Sequence, residues 1–279
     1  MLFRSTIEPV FGGECENNPP LVQFDASMQK FVISDKTMRQ LLSFLCIVDH
    51  SRPHTIGYLD AKLVMLLAAR GVSVEHLRSL QREYYSLLDR ICDDRASAKY
   101  FLRLQGRLSP DDSRNDKLVA LRRDEVKEMI DDVNVVGRGL PGRQVARIRI
   151  LVPTARAVFG VCDPYNKLED GECHFSPTLL YPEEENFGAR DKVVVARSPC
   201  YHPGDIRVLN LARDKPEYEH LKDCLVLRPH AFECAGGDLG GSKFFVSWDT
   251  KLIPKANIKP CSYLPTRGEI IDDYWHNFR

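Results

Sequence analysis

The 279-residue chain carries 39 Lys and Arg residues against 39 Asp and Glu residues, so its formal net charge is zero. It is 43% hydrophobic and 28% charged, which is the composition of a globular protein able to bury a core and excludes a disordered chain. The balanced charge also excludes a nucleic-acid binder that works as a bulk polycation. It leaves room for a local basic groove, because the placement of charges sets the local field.

Three features of the sequence bear on location. No apolar run approaches the ~20 residues that a membrane helix needs, and the first thirteen residues, MLFRSTIEPVFGG, lack the apolar core of a secretory signal. The nine cysteines form no Cys-x-x-Cys pair, and neither Cys173-His174 nor Cys200-x-His202 has the spacing of a structural zinc site. We therefore expect free thiols in an intracellular protein, cytoplasmic or nuclear, with no membrane partner.

Helical patterns dominate the first half of the chain, after a mixed and turn-rich stretch over 1–34. Apolar spacing behind polar caps predicts helices at about 35–48 and 59–70, a third helix that starts behind Ser73, and a charged helix over 116–132. The third helix carries one apolar stripe, which predicts its buried face: Leu77, Leu80, Tyr84, Leu87, Leu88 and Ile91.

The hydrophobic period falls to two after Gly142, where Ile148, Ile150 and Val152 alternate with their neighbours. Turn signals separate a series of short β-type runs at 156–162, 172–175, 192–197, 205–210, 223–227 and 244–248. Several short strands with no long helix between them predict a small antiparallel or mixed barrel. The fold class is therefore α+β, a helical region followed by a barrel.

A turn between two predicted strands carries the first candidate chemistry, Arg197-Ser-Pro-Cys-Tyr-His-Pro-Gly-Asp-Ile-Arg207. Strand alternation from Asp205 would put Asp205 and Arg207 on one face. The pair has two interpretations. It is either a structural ion pair at a tight turn, or Arg207 is directed at phosphate.

The second candidate for a functional site is a glycine-rich segment, Glu233-Cys-Ala-Gly-Gly-Asp-Leu-Gly-Gly-Ser-Lys-Phe-Phe-Val-Ser-Trp-Asp249. Its four glycines allow the backbone to approach a ligand closely around Asp238. A hairpin turn before an apolar strand is the alternative interpretation.

The two segments together, in this order, resemble the cellular RNA-dependent RNA polymerases of eukaryotic RNA silencing. The likeness is collinear over 26–31, 51–80, 152–175, 192–212 and 223–249. It implies a catalytic core of two double-psi β-barrels joined by helices. Residues 1–34 would be a remnant of the first barrel, 35–135 the helical connector, 136–255 the second double-psi β-barrel and 256–279 a C-terminal tail. Nearly all of the first barrel would then be missing from these residues.

The active-site loop of that family reads Asp-x-Asp-Gly-Asp, and its three carboxylates hold Mg²⁺. The corresponding residues here are Asp238, Gly240 and Ser242, so only the first carboxylate is kept. A single carboxylate with a hydroxyl is a poor Mg²⁺ site, because Mg²⁺ relies on anionic oxygen ligands in a regular geometry. We expect Mg²⁺ to bind weakly or not at all, through Asp238.

The resemblance implies template-directed RNA synthesis in RNA silencing, on a single-stranded RNA template. It assigns contacts with RNA or nucleotide to Arg197, His202, Asp205 and Arg207, and we add Arg156 as a candidate phosphate contact. The altered loop and the missing first barrel predict a chain that does not polymerise RNA unaided.

Several alternatives stay open. The chain could be a non-catalytic RNA-binding or scaffold module, or an inactive remnant. A barrel face that normally meets the first barrel would be exposed, which predicts a protein partner or a homodimer. The locally basic stretch 137–156 has five arginines and no acid, and it either faces nucleic acid or is an exposed strand edge.

Overall fold

The computed structural model describes residues 49–53, 55–105, 115–133, 143–178, 187–228, 234–236, 241–255 and 258–261. The elements in these ranges are, in chain order, β1 (Ile56–Asp60), α1 (Ala61–Ala69), α2 (Val74–Arg90), α3 (Arg95–Leu104), α4 (Asn115–Glu128), β2 (Ile130–Val133), β3 (Arg143–Ala146), β4 (Arg149–Cys162), β5 (Glu172–Phe175), β6 (Lys192–Arg197), β7 (Arg207–Leu211), β8 (Cys224–Leu227) and β9 (Lys243–Ser247).

Side-chain caps begin three of the helices. Asp60 accepts from the Leu63 amide before α1, Ser73 from the His76 amide before α2, and Asp94 from the Ala96 and Ser97 amides before α3. The helix predicted behind Ser73 is confirmed, and every residue of its predicted apolar stripe is buried. Sequence analysis missed α3, which follows α2 after a short turn.

Two of the predicted helices are shorter than expected because tertiary pairing takes their ends into strands. The helix expected from about residue 59 begins at Ala61, and the preceding β1 pairs antiparallel with β4. A Cβ on Gly57 would lie 2.7 Å from the Cβ of Ala155, so only glycine permits this close approach. The helix expected to reach residue 132 ends at Glu128, and β2 then pairs with β3.

Six strands form a closed barrel in the order β4-β8-β5-β7-β6-β9, and β9 pairs back with β4. The pairs β4–β8 and β5–β7 are parallel, and the other pairs in the ring are antiparallel. This confirms the predicted mixed barrel and the α+β class. The strand predicted over 156–162 is the second half of a longer β4, whose first half pairs with β1 outside the ring.

Alternate residues of all six strands form the barrel interior, a buried cluster that includes Val158, Phe175, Val195, Leu209, Leu225 and Phe244. The outward face of β4, β6 and β9 packs under α1 and the start of α2, in a cluster that includes Leu63, Leu67, Leu77, Val152, Val194 and Phe245. The helices therefore cover one side of the barrel and fix the strand ends on that side.

The predicted helix at 35–48, the segment 26–31, the turn at 137–142 and the C-terminal tail lie outside the described residues. Among the described helices, none has both the length and the apolar character needed to cross a bilayer. The seven cysteines in the described ranges are free thiols, as expected.

Candidate functional site

The candidate site lies at one end of the barrel, where β6 ends and β7 and β9 begin. We call this end the mouth. Arg207 pairs with Val195, and Arg197 pairs with Phe244, the second residue of β9. Antiparallel partners and alternate residues share a face of the sheet, so both arginines lie on the face of Val195, which is the interior face. The two predicted arginines are thus brought together at the rim.

One residue of the glycine-rich segment, Ala235, contacts the mouth. The Arg197 guanidinium donates from Nη1 to the Ala235 carbonyl oxygen at 3.3 Å, three residues before Asp238. Asp238 and Gly240 lie outside the described residues, whereas Ser242 is half-buried directly before β9. Gly241 has a φ of +91°, in the left-handed region that glycine readily adopts, and it occupies the glycine position of the predicted motif.

A buried carboxylate organises the turn between β6 and β7, residues 198–206. Asp205 is fully buried, and its Oδ2 accepts the backbone N–H groups of Tyr201 and His202, each at 3.0 Å. His202 Nδ1 in return accepts the Gly204 N–H at 3.0 Å. Because Asp205 lies in a 3-10 turn over 203–205, the prediction that it starts a strand beside Arg207 is wrong. These bonds assign a turn-forming role to both Asp205 and His202.

Arg70, at the end of α1, supports the same turn from the helical side. This arginine is 2% exposed and donates from Nη1 to the carbonyl oxygens of Pro203 and Ile206. Burial and the neighbouring positive charge of Arg207 both lower the pKa of Arg70. Sequence analysis missed Arg70, since a basic residue at the C-cap of a helix is ordinary and its partners are more than 130 residues away.

The start of α1 contacts the turn as well. Ser198 donates to Asp60 Oδ2 at 2.7 Å, and Lys62 Nζ donates to the Tyr201 hydroxyl oxygen at 2.9 Å. Cys200 is buried beneath them, where burial, Asp205 and Asp60 raise its thiol pKa to about 12. The Cys200 Sγ donates to the Arg197 carbonyl oxygen at 2.8 Å, and His202 Nδ1 accepts the Gly204 N–H, so both groups have partners within the turn.

The charges that flank or contact the turn are predominantly positive. Four basic side chains surround it, against the two carboxylates of Asp60 and Asp205, and these four are Lys62, Arg70, Arg197 and Arg207. Both carboxylates already accept hydrogen bonds within the protein. The local excess of positive charge suits an anionic ligand, even though the whole chain is neutral.

Two arginines of the basic stretch at 137–156, Arg149 and Arg156, have hydrogen-bond partners within the protein. Arg156 is 4% exposed and donates from Nη1 to the carbonyl oxygens of Pro153 and Ala155 at 3.0 and 2.9 Å, so its predicted role as a phosphate contact is wrong. Arg149 donates to Glu125 and lies 3.5 Å from the ring centroid of Tyr58. The side chains of Arg138 and Arg143 lie outside the described residues.

The loop after Gly237 offers few donors for a metal. Its single carboxylate, Asp238, is followed by Leu239, by two glycines and by the hydroxyl of Ser242. Among the residues whose placement is described, no three His, Cys, Asp or Glu side chains converge. This donor set does not fit a tightly held divalent cation, which takes six oxygen ligands in the case of Mg²⁺.

Comparison with known proteins gives a consistent result. The family model of RNA dependent RNA polymerase matches residues 12–276. The chain is 31% identical over 236 residues to a protein of Oryza sativa subsp. japonica named "Probable RNA-dependent RNA polymerase 1", covering 77% of this chain and 30% of that protein. It is 32% identical over 238 residues to "RNA-dependent RNA polymerase 2" of Arabidopsis thaliana, covering 77% of this chain and 21% of that protein.

The fold is similar to that of "RNA dependent RNA polymerase QDE-1 from Thielavia terrestris", with a TM-score of 0.50 and 17% identity over 81% of this chain and 27% of that one. This likeness supports the predicted double-psi barrel. The chain spans less than a third of the length of each of these relatives. The match of the family model over nearly the whole chain shows that the chain belongs to the RNA-dependent RNA polymerase family.

Proposed function

We propose that this chain is an RNA-silencing polymerase relative that binds single-stranded RNA at the barrel mouth and is impaired in template-directed RNA synthesis. The proposal of impaired synthesis rests on the loop sequence, in which Gly240 and Ser242 stand where the family resemblance implies two carboxylates. Polymerases of this family use a divalent metal. Because phosphoryl transfer depends on positioned metal and charge neutralisation, loss of two metal ligands removes most of the catalytic power.

The mouth supports the RNA-binding part of the proposal. Arg197 and Arg207 lie at its rim on the interior face, and the positive charges around the turn outnumber the negative ones. The turn is fixed by Asp205 from within and by Arg70 from the helical side. A rigid basic rim is suited to phosphates of a nucleic-acid backbone.

Primer extension tests the impairment. The purified chain is incubated with a primed RNA template, nucleotides and either Mg²⁺ or Mn²⁺, beside RNA-dependent RNA polymerase 2 of Arabidopsis thaliana as the active reference. We expect no template-dependent product from this chain. Product above the background of a reaction without template would overturn the impairment.

The salt dependence of RNA binding tests the mouth. A basic side chain that contacts one phosphate of a single strand contributes about 0.7 to the slope of log K against log salt. Arg207→Gln should therefore weaken binding of single-stranded RNA and reduce the slope by about that amount. Arg78→Gln is the matched control, since Arg78 is 69% exposed on α2 and bonded only weakly to Glu75 at 4.0 Å. Equal slopes for wild type and Arg207→Gln would contradict a phosphate contact at Arg207.

Three further predictions belong to this proposal. They are the division into barrel remnant, connector, second barrel and tail, an intracellular location in cytoplasm or nucleus, and association through the barrel face with a protein partner or a second copy. Sedimentation velocity of dilute protein tests the self-association, and a single monomeric species would contradict the homodimer.

A further inference from the structure

Tyr201 lies at the tip of the β6–β7 turn and is 71% exposed, more than any other large hydrophobic side chain that the structure describes. An aromatic ring exposed to water lacks the hydrophobic stabilisation that buried aromatic rings contribute. Its backbone, however, is not loose, because the Tyr201 N–H donates to the fully buried Asp205 carboxylate. The turn thus presents an exposed ring on a fixed backbone.

Lys62 fixes the orientation of that ring. Its Nζ lies 2.9 Å from the Tyr201 hydroxyl oxygen and 4.1 Å from the ring centroid, which combines a hydrogen bond with a cation–π contact. Lys62 lies on α1, whose capping residue Asp60 also accepts from Ser198 of the turn. Two contacts from α1 therefore hold the turn, and most of the ring stays accessible.

Tyr201 belongs to the turn whose two flanking strands carry the rim arginines. Tyr201 is four residues beyond Arg197 and six before Arg207, within the turn that joins the two strands carrying them. Proteins that hold single-stranded nucleic acid without reading its sequence combine basic side chains along the backbone with aromatic rings on which bases stack. Here the basic side chains of Arg197 and Arg207 stand at the two ends of the short turn that contains the aromatic ring of Tyr201.

We propose that Tyr201 is a stacking platform for one base of the bound single-stranded RNA, with Lys62 holding the ring in place and the rim arginines contacting the neighbouring phosphates. This inference rests on the proposed RNA-binding function and adds a residue that contacts the face of a base. Stacking tolerates any base but is stronger for purines, because their ring surface is larger.

Binding of fluorescein-labelled oligoadenylate and of an abasic ribose-phosphate strand of equal length tests the platform. Tyr201→Ala should weaken oligoadenylate binding by about 5- to 150-fold, the range that loss of one stacked base gives. Tyr201→Phe should retain wild-type affinity within about twofold, since the ring remains. The abasic strand should bind wild type and Tyr201→Ala equally, and the salt slope of Tyr201→Ala should not change. Tyr85→Ala, at a 39% exposed tyrosine of α2, is the matched control.

The outcomes separate the two proposals. If wild type binds oligoadenylate and Tyr201→Ala binds it equally well, the stacking platform is overturned and RNA binding stands. If Tyr201→Ala weakens the abasic strand as much as oligoadenylate, the ring does not act through a base and the platform is again overturned. If wild type binds neither strand at low salt, both proposals are overturned.

Discussion

At the scale of single residues, the β6–β7 turn depends on one carboxylate. Asp205 is fully buried, and its Oδ2 accepts two backbone N–H groups that would otherwise have no partner inside the turn. Hydrogen bonds to a charged acceptor contribute more to stability than neutral ones. This side chain therefore holds the backbone of Tyr201 and His202 in the turn.

Asp205→Ala should lower the free energy of unfolding by about 2–4 kcal/mol, because it removes two part-buried hydrogen bonds to a carboxylate. Asp205→Asn should lower it less, since the amide oxygen still accepts. Urea denaturation measures both, with Asp89→Ala as control, at a carboxylate that is 77% exposed in a surface ion pair with Arg122. An Asp205→Ala variant as stable as the control would show that the turn forms without the carboxylate.

The residues of the mouth divide by how far apart they lie in sequence. His202, Asp205 and Arg207 belong to one short motif, so a sequence pattern suffices to single them out, although not to distinguish turn-forming from ligand-binding roles. Arg70 and Lys62 also contact the turn, but they are separated in sequence from their partners by 133 to 139 residues. Nothing local in a helix pattern indicates such a partner, because it depends on how α1 packs on the barrel.

At the scale of elements, a buried acid on α4 joins the helices to the sheet. Glu125 is 8% exposed and accepts from hydroxyls of Tyr58 on β1 and Tyr84 on α2, from Gln105 after α3, and from Arg149 on β4. Burial first, and then the hydrogen bond with Glu125, raises the pKa of Tyr84, so its hydroxyl stays protonated as a donor. One carboxylate thus connects five parts of the fold.

Glu125→Ala should lower the free energy of unfolding by about 3–5 kcal/mol, the loss typical when one partner of a buried charged pair is removed. Glu125→Gln keeps an acceptor and should lose less, and Tyr84→Phe should lose about 1 kcal/mol because it removes one hydrogen bond and leaves the ring packed. Thermal or urea unfolding measures the series. Glu75→Ala is the control, because Glu75 is 67% exposed on α2. A small effect of Glu125→Ala, equal to that of the control, would contradict the role of this acid.

The secondary-structure elements differ in how well the hydrophobic pattern of the sequence predicts them. The strands of the barrel follow an apolar period of two between turn signals, and five of the six predicted runs lie within two residues of the observed strands. In contrast, β1 consists of only five residues that lead directly into α1, and its strand character comes from pairing with β4 at Gly57. Tertiary pairing of this kind overrides the local pattern.

At the scale of the whole molecule, the zero net charge conceals an uneven distribution. Charge of both signs lies on the helices in exposed pairs such as Glu75–Arg82 and Asp89–Arg122. At the mouth, positive side chains exceed negative ones around a fixed turn. In the sequence of the loop, by contrast, one carboxylate stands where the family resemblance implies three, so the charge expected of a metal site is reduced while the turn keeps its excess of positive charge.

Restoring the two carboxylates tests that separation directly. Gly241, at the glycine position of the motif, has a φ in the left-handed region, and Gly240→Asp with Ser242→Asp returns three carboxylates to the loop sequence. We expect the double variant to bind Mn²⁺ at least about tenfold more tightly than wild type, since affinity for hard cations rises with the number of charged oxygen ligands. Electron paramagnetic resonance of free Mn²⁺ measures this affinity. Adding Asp238→Asn to the double variant should remove the gain, because the first carboxylate is then lost. Wild type and double variant binding Mn²⁺ equally tightly would show that the loop is not where the metal is held.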